Sequence, residues 1–184
     1  MLPTRETYSI EIAGIQRELP LFEVKPGLRI ALLNILGDTE LVQACASALA
    51  NRIQDIEYDL LVTAEAKSIP LVHALAVEEG VPYVVLRKVY KPYMGEALST
   101  ETVSITTGQV QKLFLDEKDR RLISGRRVII LDDVVSTGST LKGMQKLMES
   151  AGATIQAVAA ILTEGEQSDW NDILSLGHLP LFKD

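Results

Sequence analysis

The stretch Val128-Ile129-Ile130-Leu131-Asp132-Asp133-Val134-Val135-Ser136-Thr137-Gly138-Ser139-Thr140 decides the reading of this chain. Four apolar residues run into two adjacent acids, and a turn of hydroxyl side chains around one glycine follows. Leu141, Met144, Leu147 and Met148 then recur at helical spacing. A short continuous apolar run bounded by a turn is the pattern of a buried parallel strand, and here it feeds directly into a helix. Unpaired amide protons and the positive end of the dipole make such a helix start an anion site. Ser136, Thr137, Ser139 and Thr140 add hydroxyl donors, and Gly138 lets the backbone approach closely. The turn suits a phosphate monoester. Asp132 and Asp133, just upstream, suit acceptance of hydrogen bonds from sugar hydroxyls. Acids, turn and helix start in that order are a more specific signal than solvated strand-end charges.

Other anion-binding patterns fit less well. No G-x-G-x-x-G follows a strand and no G-x-x-x-x-G-K-[ST] occurs, which removes the dinucleotide and P-loop readings. A phospho-receiver also ends a strand with paired acids, but its phosphorylated Asp lies dozens of residues further on, where this chain is almost finished.

Outward from this stretch the chain alternates strands and helices. Tyr8–Ile12 and Ile15–Leu21 read as strands across Gly14, and Leu28–Leu33 follows the Pro26-Gly27 turn. Asp38-Thr39 supplies an N-cap for a helix with Leu41, Cys45, Ala48, Leu49 and Ile53 on its apolar face. Residues 59–63 form a second buried strand, and a loop from Ala64 to Pro70 leads into a helix with Leu71, Val72, Leu75 and Ala76. Val81–Arg87 is the next strand. Residues 88–102, with Pro92 and Gly95 and no clear period, read as a mobile loop, and loops of this length are commonly lids. Residues 103–106 and Val110–Leu115 read as a hairpin turning at Gly108, and Thr154–Thr163 as a last long strand. The pattern predicts an α/β fold: a mostly parallel sheet with helices on both faces and ligands at the carboxyl ends of the strands.

The bulk properties narrow the function. With 184 residues, 47% of them hydrophobic, the chain can bury a sizeable core, so it is not intrinsically disordered. Eighteen Lys and Arg against 25 Asp and Glu, a net charge of −7, argue against a nucleic-acid or anionic-membrane partner. The single cysteine, Cys45, cannot form an internal disulfide, and the cytoplasm is the expected compartment. No signal peptide is evident, and no apolar run approaches the roughly 18 residues of a membrane span. His73 and His178 have no Cys or His near them in sequence, so no dedicated protein metal site is expected.

Leu131–Thr140 resembles the phosphoribosyl pyrophosphate (PRPP) loop of type I phosphoribosyltransferases, and the likeness extends upstream. Thr63-Ala64-Glu65-Ala66-Lys67-Ser68-Ile69-Pro70 is similar to that family's pyrophosphate-binding loop. Arg87-Lys88-Val89-Tyr90-Lys91 is similar to the basic segment opening the flexible loop of adenine phosphoribosyltransferases and their relatives. The resemblance covers about residues 59–163. It implies a Rossmann-like core at about 36–164, a small hood from about 1–35 and 165–184, a flexible hairpin loop, and one phosphoribosyltransferase domain over 1–184.

It also implies roles. Asp132 and Asp133 would bind the ribose hydroxyls and, with Arg87 and Lys88, form the catalytic set. Ser136, Thr137, Gly138, Ser139 and Thr140 would hold the 5′-phosphate. Glu65, Ala66, Lys67, Arg87, Lys88 and Lys91 would hold pyrophosphate, and Leu28 and Val135 would touch the base. Mg2+ would arrive bound to the substrate, loop 88–102 would serve as the lid, and the protein would form a homodimer. The partners expected are PRPP and a purine base, with no nucleic acid and no membrane.

Base choice has alternatives at this stage. Hypoxanthine–guanine enzymes usually place an Asp where Ser136 stands, so this chain is more like the adenine branch. Adenine enzymes, however, typically carry a Glu-Tyr pair where this sequence has Thr106-Thr107. The expected reaction is adenine and PRPP giving AMP and pyrophosphate. A 6-oxopurine substrate is the second reading. A non-enzymatic PRPP-sensing regulator, which would need a DNA-binding module or a basic face, is the third.

Overall fold

The computed structural model describes residues 5–103 and 110–183. In chain order the elements are β1 (Thr7–Ile12), β2 (Ile15–Lys25), β3 (Leu28–Ala31), α1 (Thr39–Ile53), β4 (Leu60–Ala64), α2 (Ile69–Glu79) and β5 (Tyr83–Leu86). They continue with β6 (Leu98–Val103), β7 (Val110–Leu115), α3 (Glu117–Ile123), β8 (Arg127–Val135), α4 (Ser139–Ser150), β9 (Thr154–Glu164), β10 (Ile173–Leu179) and β11 (Phe182–Lys183).

The central sheet has the order β10-β9-β8-β4-β5, and every neighbouring pair is parallel. Its middle strands are apolar on both faces, as helices on both sides require: all five residues of β4 are buried, as are Val128–Leu131 of β8. One face packs with α1 and α2 into a core that includes Leu41, Leu49, Leu71 and Leu75. The other face packs against α4 through Met144, Leu147 and Met148. After β4 the chain adds β5 on one side, then crosses back to lay β8 on the other. The β4/β8 boundary is therefore where strand order reverses, and in open parallel sheets that reversal opens a crevice at the strand ends.

A second sheet, β1-β2-β3-β11, is antiparallel and forms the hood. Arg17 of β2 ties it to the core, donating from Nε (2.8 Å) and Nη2 (2.9 Å) to the two carboxylate oxygens of Asp38. Asp38 in turn caps α1 by accepting from the Leu41 amide at 3.2 Å. The Arg17 guanidinium holds the Asp38 carboxyl below its ordinary pKa.

Three features differ from the sequence reading. Residues 88–102 are not one loop: a 3-10 turn at Pro92–Met94 is followed by β6, which pairs antiparallel with β7. The hairpin thus starts at Leu98, because Thr100 and Thr102 dock on α4. A Cβ at Gly143 would lie 2.9 Å from Thr102 Cγ2 and 3.0 Å from Leu113 Cδ1, so glycine there permits the approach. The expected hairpin turn at Gly108 and the Thr106-Thr107 pair lie outside the described residues. The C-terminal stretch also divides differently from the expected hood: β10 extends the central sheet beside β9, and only β11 joins the hood, against β3. The helix α3 was not evident from sequence. Among the described residues no helix is long and apolar enough to cross a membrane.

Candidate active site at the strand reversal

The ends of β4 and β8 are stitched together by side chains rather than by sheet bonds alone. Thr63, fully buried, donates its hydroxyl to the Leu131 carbonyl at 2.7 Å. One turn further on, Ser68 Oγ lies 2.8 Å from Asp132 Oδ1 and 3.1 Å from Asp133 Oδ1, so its single proton serves one acid at a time. The Asp133 amide donates back to Ser68 Oγ and to Asp132 Oδ1, each at 3.0 Å. The hydroxyl and the amide between them hold both carboxylates in place. Ser68 was not assigned a role from sequence, since it lies 64 residues from Asp132 in the chain.

The pair is electrostatically costly. Asp132 is 9% exposed, and burial, reinforced by the neighbouring Asp133 charge, pushes its carboxyl well above the ordinary range; the Ser68 hydrogen bond pulls the other way. Such an arrangement resists a full double negative charge until donors arrive.

Two adjoining depressions flank the acids. The larger, about 290 Å³, is lined on the hood side by Ile30–Leu33, on the side of the loops after β4 and β5 by Glu65, Ala66, Lys67 and Lys88, and by Asp132, Asp133, Val134 and Glu164. The smaller, about 160 Å³, is the turn from Val134 to Leu141, joined by Gln111 of β7. Gly138 there has φ of 70° and forms the N-terminal cap of α4. Thr137 Oγ1 lies 3.2 Å from Ser139 Oγ. Trp170 braces this turn: its ring carbon Cη2 is 3.1 Å from where a Gly138 Cβ would lie, and its indole Nε1 donates to the Glu164 carbonyl at 2.8 Å. Ser136 and Thr140 line both depressions.

The cations divide. Lys67 donates from Nζ to the Leu33 carbonyl at 3.2 Å, linking the loop after β4 to the strand end leading out of the hood. Arg87 donates from Nε to Glu65 Oε2 at 2.6 Å, and the Lys88 amide donates to Glu65 Oε1 at 2.5 Å. Glu65 thereby orients Arg87 and Lys88. Arg87 lines a neighbouring depression with Tyr93 and Lys118 rather than the main cavity. Lys91 starts the 3-10 turn and is exposed, away from the main cavity.

The expected base contacts need correction. Val135 is 2% exposed and packs into the α4-side core, while its neighbour Val134 faces the hood-side cluster, as strand alternation demands. Leu28 pairs with Lys183 at the far end of β3 and does not line the cavity, which Ile30–Leu33 do. His178 is a structural bridge: Nδ1 lies 2.9 Å from the Thr163 hydroxyl, and Nε2 donates to the Gly165 carbonyl at 3.0 Å. His73 packs edge-on to Tyr83. Among the described residues no cluster of three His, Cys, Asp or Glu is arranged around a metal position.

Comparison with known proteins gives these features a family context. Residues 33–173 match the model of the phosphoribosyl transferase domain. The purine biosynthesis transcriptional repressor PurR of Bacillus subtilis is 30% identical over 146 residues, 79% of this chain and 50% of that protein. A hypoxanthine/guanine phosphoribosyltransferase of Methanocella paludicola is 34% identical over 112 residues, 61% of this chain and 55% of that protein. The chain thus spans little more than half the length of these two curated relatives. The fold is shared with the crystal structure of an adenine phosphoribosyltransferase from Thermoanaerobacter pseudethanolicus, with a TM-score of 0.68 at 24% identity over 94% of this chain and 95% of that one.

Proposed function

The chain belongs to the phosphoribosyl transferase domain family, and from that footing we propose that it transfers the phosphoribosyl group of PRPP to a ring nitrogen of a purine base, adenine, releasing pyrophosphate. One juxtaposition carries the reading: paired carboxylates clamped by Ser68 stand between a hydroxyl-rich helix start and a loop bearing Lys67 and Lys88. A 5-phosphoribosyl diphosphate has the matching order of groups, phosphate, ribose diol and diphosphate.

In this reading the amides and hydroxyls of residues 136–140 take the 5′-phosphate, with the α4 dipole adding to the attraction. Asp132 and Asp133 accept from the ribose hydroxyls, which supplies the donors their crowded charges need. The bond from C1 to the pyrophosphate oxygen breaks, its electron pair leaves with pyrophosphate, and the base nitrogen forms the new bond to C1. Lys88, oriented through its amide by Glu65, and the amides of the 65–68 loop face the departing charge. Stabilising that charge and holding base and sugar in line are the two means of acceleration the site offers. Mg2+ belongs to the substrate in this scheme, shielding the diphosphate oxygens while keeping several waters. A homodimer is part of the proposal by family likeness alone.

Adenine is favoured over 6-oxopurines by Ser136, a small neutral residue where the 6-oxopurine branch usually has an acid. The second reading, a hypoxanthine or guanine substrate, is supported by the curated archaeal relatives. The deciding assay offers adenine, hypoxanthine, guanine, xanthine, uracil and orotate with PRPP and Mg2+ and follows pyrophosphate release. Release with adenine is the expected result. Release with a 6-oxopurine alone would shift the assignment to the second reading. PRPP binding without turnover of any base would overturn the enzymatic reading in favour of a sensing domain like the one implied by the repressor relative.

A further inference from the structure

One acid of the main cavity has no part in the scheme above. Glu164 ends β9, is 7% exposed, and lines the cavity together with Ile30–Leu33 and Val134. Among the described residues no donor reaches its carboxylate; Trp170 takes only its main-chain carbonyl. The other acids lining that cavity each have a partner, Glu65 in Arg87 and the Lys88 amide, Asp132 and Asp133 in Ser68. Its oxygens are not among the polar atoms sealed from solvent without a partner, so the carboxylate is open to a donor that enters the cavity.

Its position says which part of a ligand would do so. In the parallel register Asp132 lies beside Ala160 and Val134 beside Leu162, and Val134 and Leu162 both face the hood-side core. Glu164 is the next residue on the Leu162 face. It stands about 13 Å along the strand direction from the level of Asp132, at the roughly 3.3 Å rise of a parallel strand. Val134 and Ile30–Leu33 line the same cavity with apolar side chains, the surface a base ring would meet. A ring resting there, with its sugar at Asp132 and Asp133, turns its far edge to Glu164.

We propose that Glu164 reads the base: its carboxyl oxygen accepts a hydrogen bond from the exocyclic amino group of an aminopurine. The inference rests on the purine-transfer reading and deepens it by assigning the residue that selects the substrate. A 6-oxopurine in the same pose would present a carbonyl oxygen to an acceptor, which is the mismatch that separates the two classes.

The test compares two nucleotides that differ only in that amino group, AMP and purine ribonucleoside 5′-monophosphate. Their affinities are measured by calorimetry on the wild type, Glu164→Ala and Glu164→Gln, with IMP as a third ligand. The wild type is expected to prefer AMP by about ten-fold or more, the worth of one hydrogen bond to a buried acid. Glu164→Ala should abolish the preference while leaving the affinity for the unsubstituted nucleotide unchanged. Glu164→Gln, which keeps the side-chain volume and an acceptor but no charge, should retain only part of it, and it serves if the alanine variant does not fold. A preference for AMP that survives intact in the variants overturns the assignment, as does equal weakening of both nucleotides, which marks a structural role. Tighter binding of IMP than AMP by the wild type overturns the amino-group contact while leaving a nucleotide site. Failure of the wild type to bind any of the three, together with an inactive base panel, overturns the purine-transfer reading itself.

Discussion

Replacing Asp132 by Asn separates what the acid pair costs the fold from what it gives the site. Asp132 Oδ1 accepts from Ser68 Oγ at 2.8 Å and from the Asp133 amide at 3.0 Å, and an asparagine carbonyl in the same place keeps both bonds. The substitution removes the charge that is buried against Asp133. Because burial and the Asp133 charge raise the folded-state pKa of Asp132, the native protein holds its proton more tightly than the unfolded chain does. Wild-type stability from this group is therefore full below the ordinary carboxylate pKa of about 4 and is lost as pH rises through the raised value. Asp132→Asn lacks that loss. Relief of a poorly compensated buried polar group is worth about 1–3 kcal/mol. At about 2–4 °C per kcal/mol for a chain of this size, the variant should melt about 2–12 °C higher than wild type at pH 8. The difference should shrink towards zero near pH 4. The same change should weaken Mg2+–PRPP binding by roughly ten- to a hundred-fold, the worth of a hydrogen bond to a charged group. Melting curves from pH 4 to 9 and calorimetry with Mg2+–PRPP check both halves. A variant that melts lower than wild type at every pH would refute the electrostatic reasoning, and unchanged PRPP affinity would refute the ribose assignment.

Asp38→Ala should cost about 2 kcal/mol, because one side chain supplies both the α1 cap and the two hydrogen bonds from Arg17. The Arg17 guanidinium lowers the Asp38 pKa, so this stabilisation is present above the ordinary carboxylate pKa and is lost as pH falls through the lowered one. Urea unfolding of the wild type and the variant should accordingly differ at pH 7 and converge in acid; equal midpoints at pH 7 count against the tie between hood and core. Trp170, the chain's only tryptophan, touches Gly138 of the turn before α4 and should report occupancy there. Titration with ribose 5-phosphate is expected to change its emission in a saturable way. Trp170→Phe, which loses the bond to the Glu164 carbonyl, should weaken the affinity for ribose 5-phosphate several-fold. Saturable binding by calorimetry with a silent tryptophan would show that the turn and the indole are not coupled.

The parts of the site legible in the sequence are those whose members are neighbours in the chain. The turn from Ser136 to Thr140 and the acids before it follow one strand into one helix, so their meeting needs only local geometry. The Asp38 cap was legible for the same reason. Ser68 and Trp170 were not, because each meets a partner from another element, and Glu164 and Gln111 were not, because only the packing of several elements brings them to the depressions. Val135 lies off the larger cavity because strand alternation fixes opposite faces without saying which face meets the hood, and Leu28 lies off it because it sits at the far end of β3. The early start of β6 is not legible in the sequence because Thr102 becomes buried, and Thr100 half-buried, only when the glycine at 143 lets the hairpin settle on α4.

By itself the sequence determined the alternating fold class, the hydroxyl-rich turn and the candidate acids, since apolar period, paired carboxylates and a helix start are local properties. Only the tertiary structure decided that β4 and β8 lie side by side at the reversal of strand order. That pairing brings Thr63 to Leu131 and Ser68 to Asp132 across 68 and 64 residues. The physical reason is that a parallel pair is chosen by burial of both sheet faces and by the crossovers between strands, neither of which any single segment contains. The same packing turned a net-acidic chain into one whose central cavity sets two lysines and a helix start beside two clamped acids.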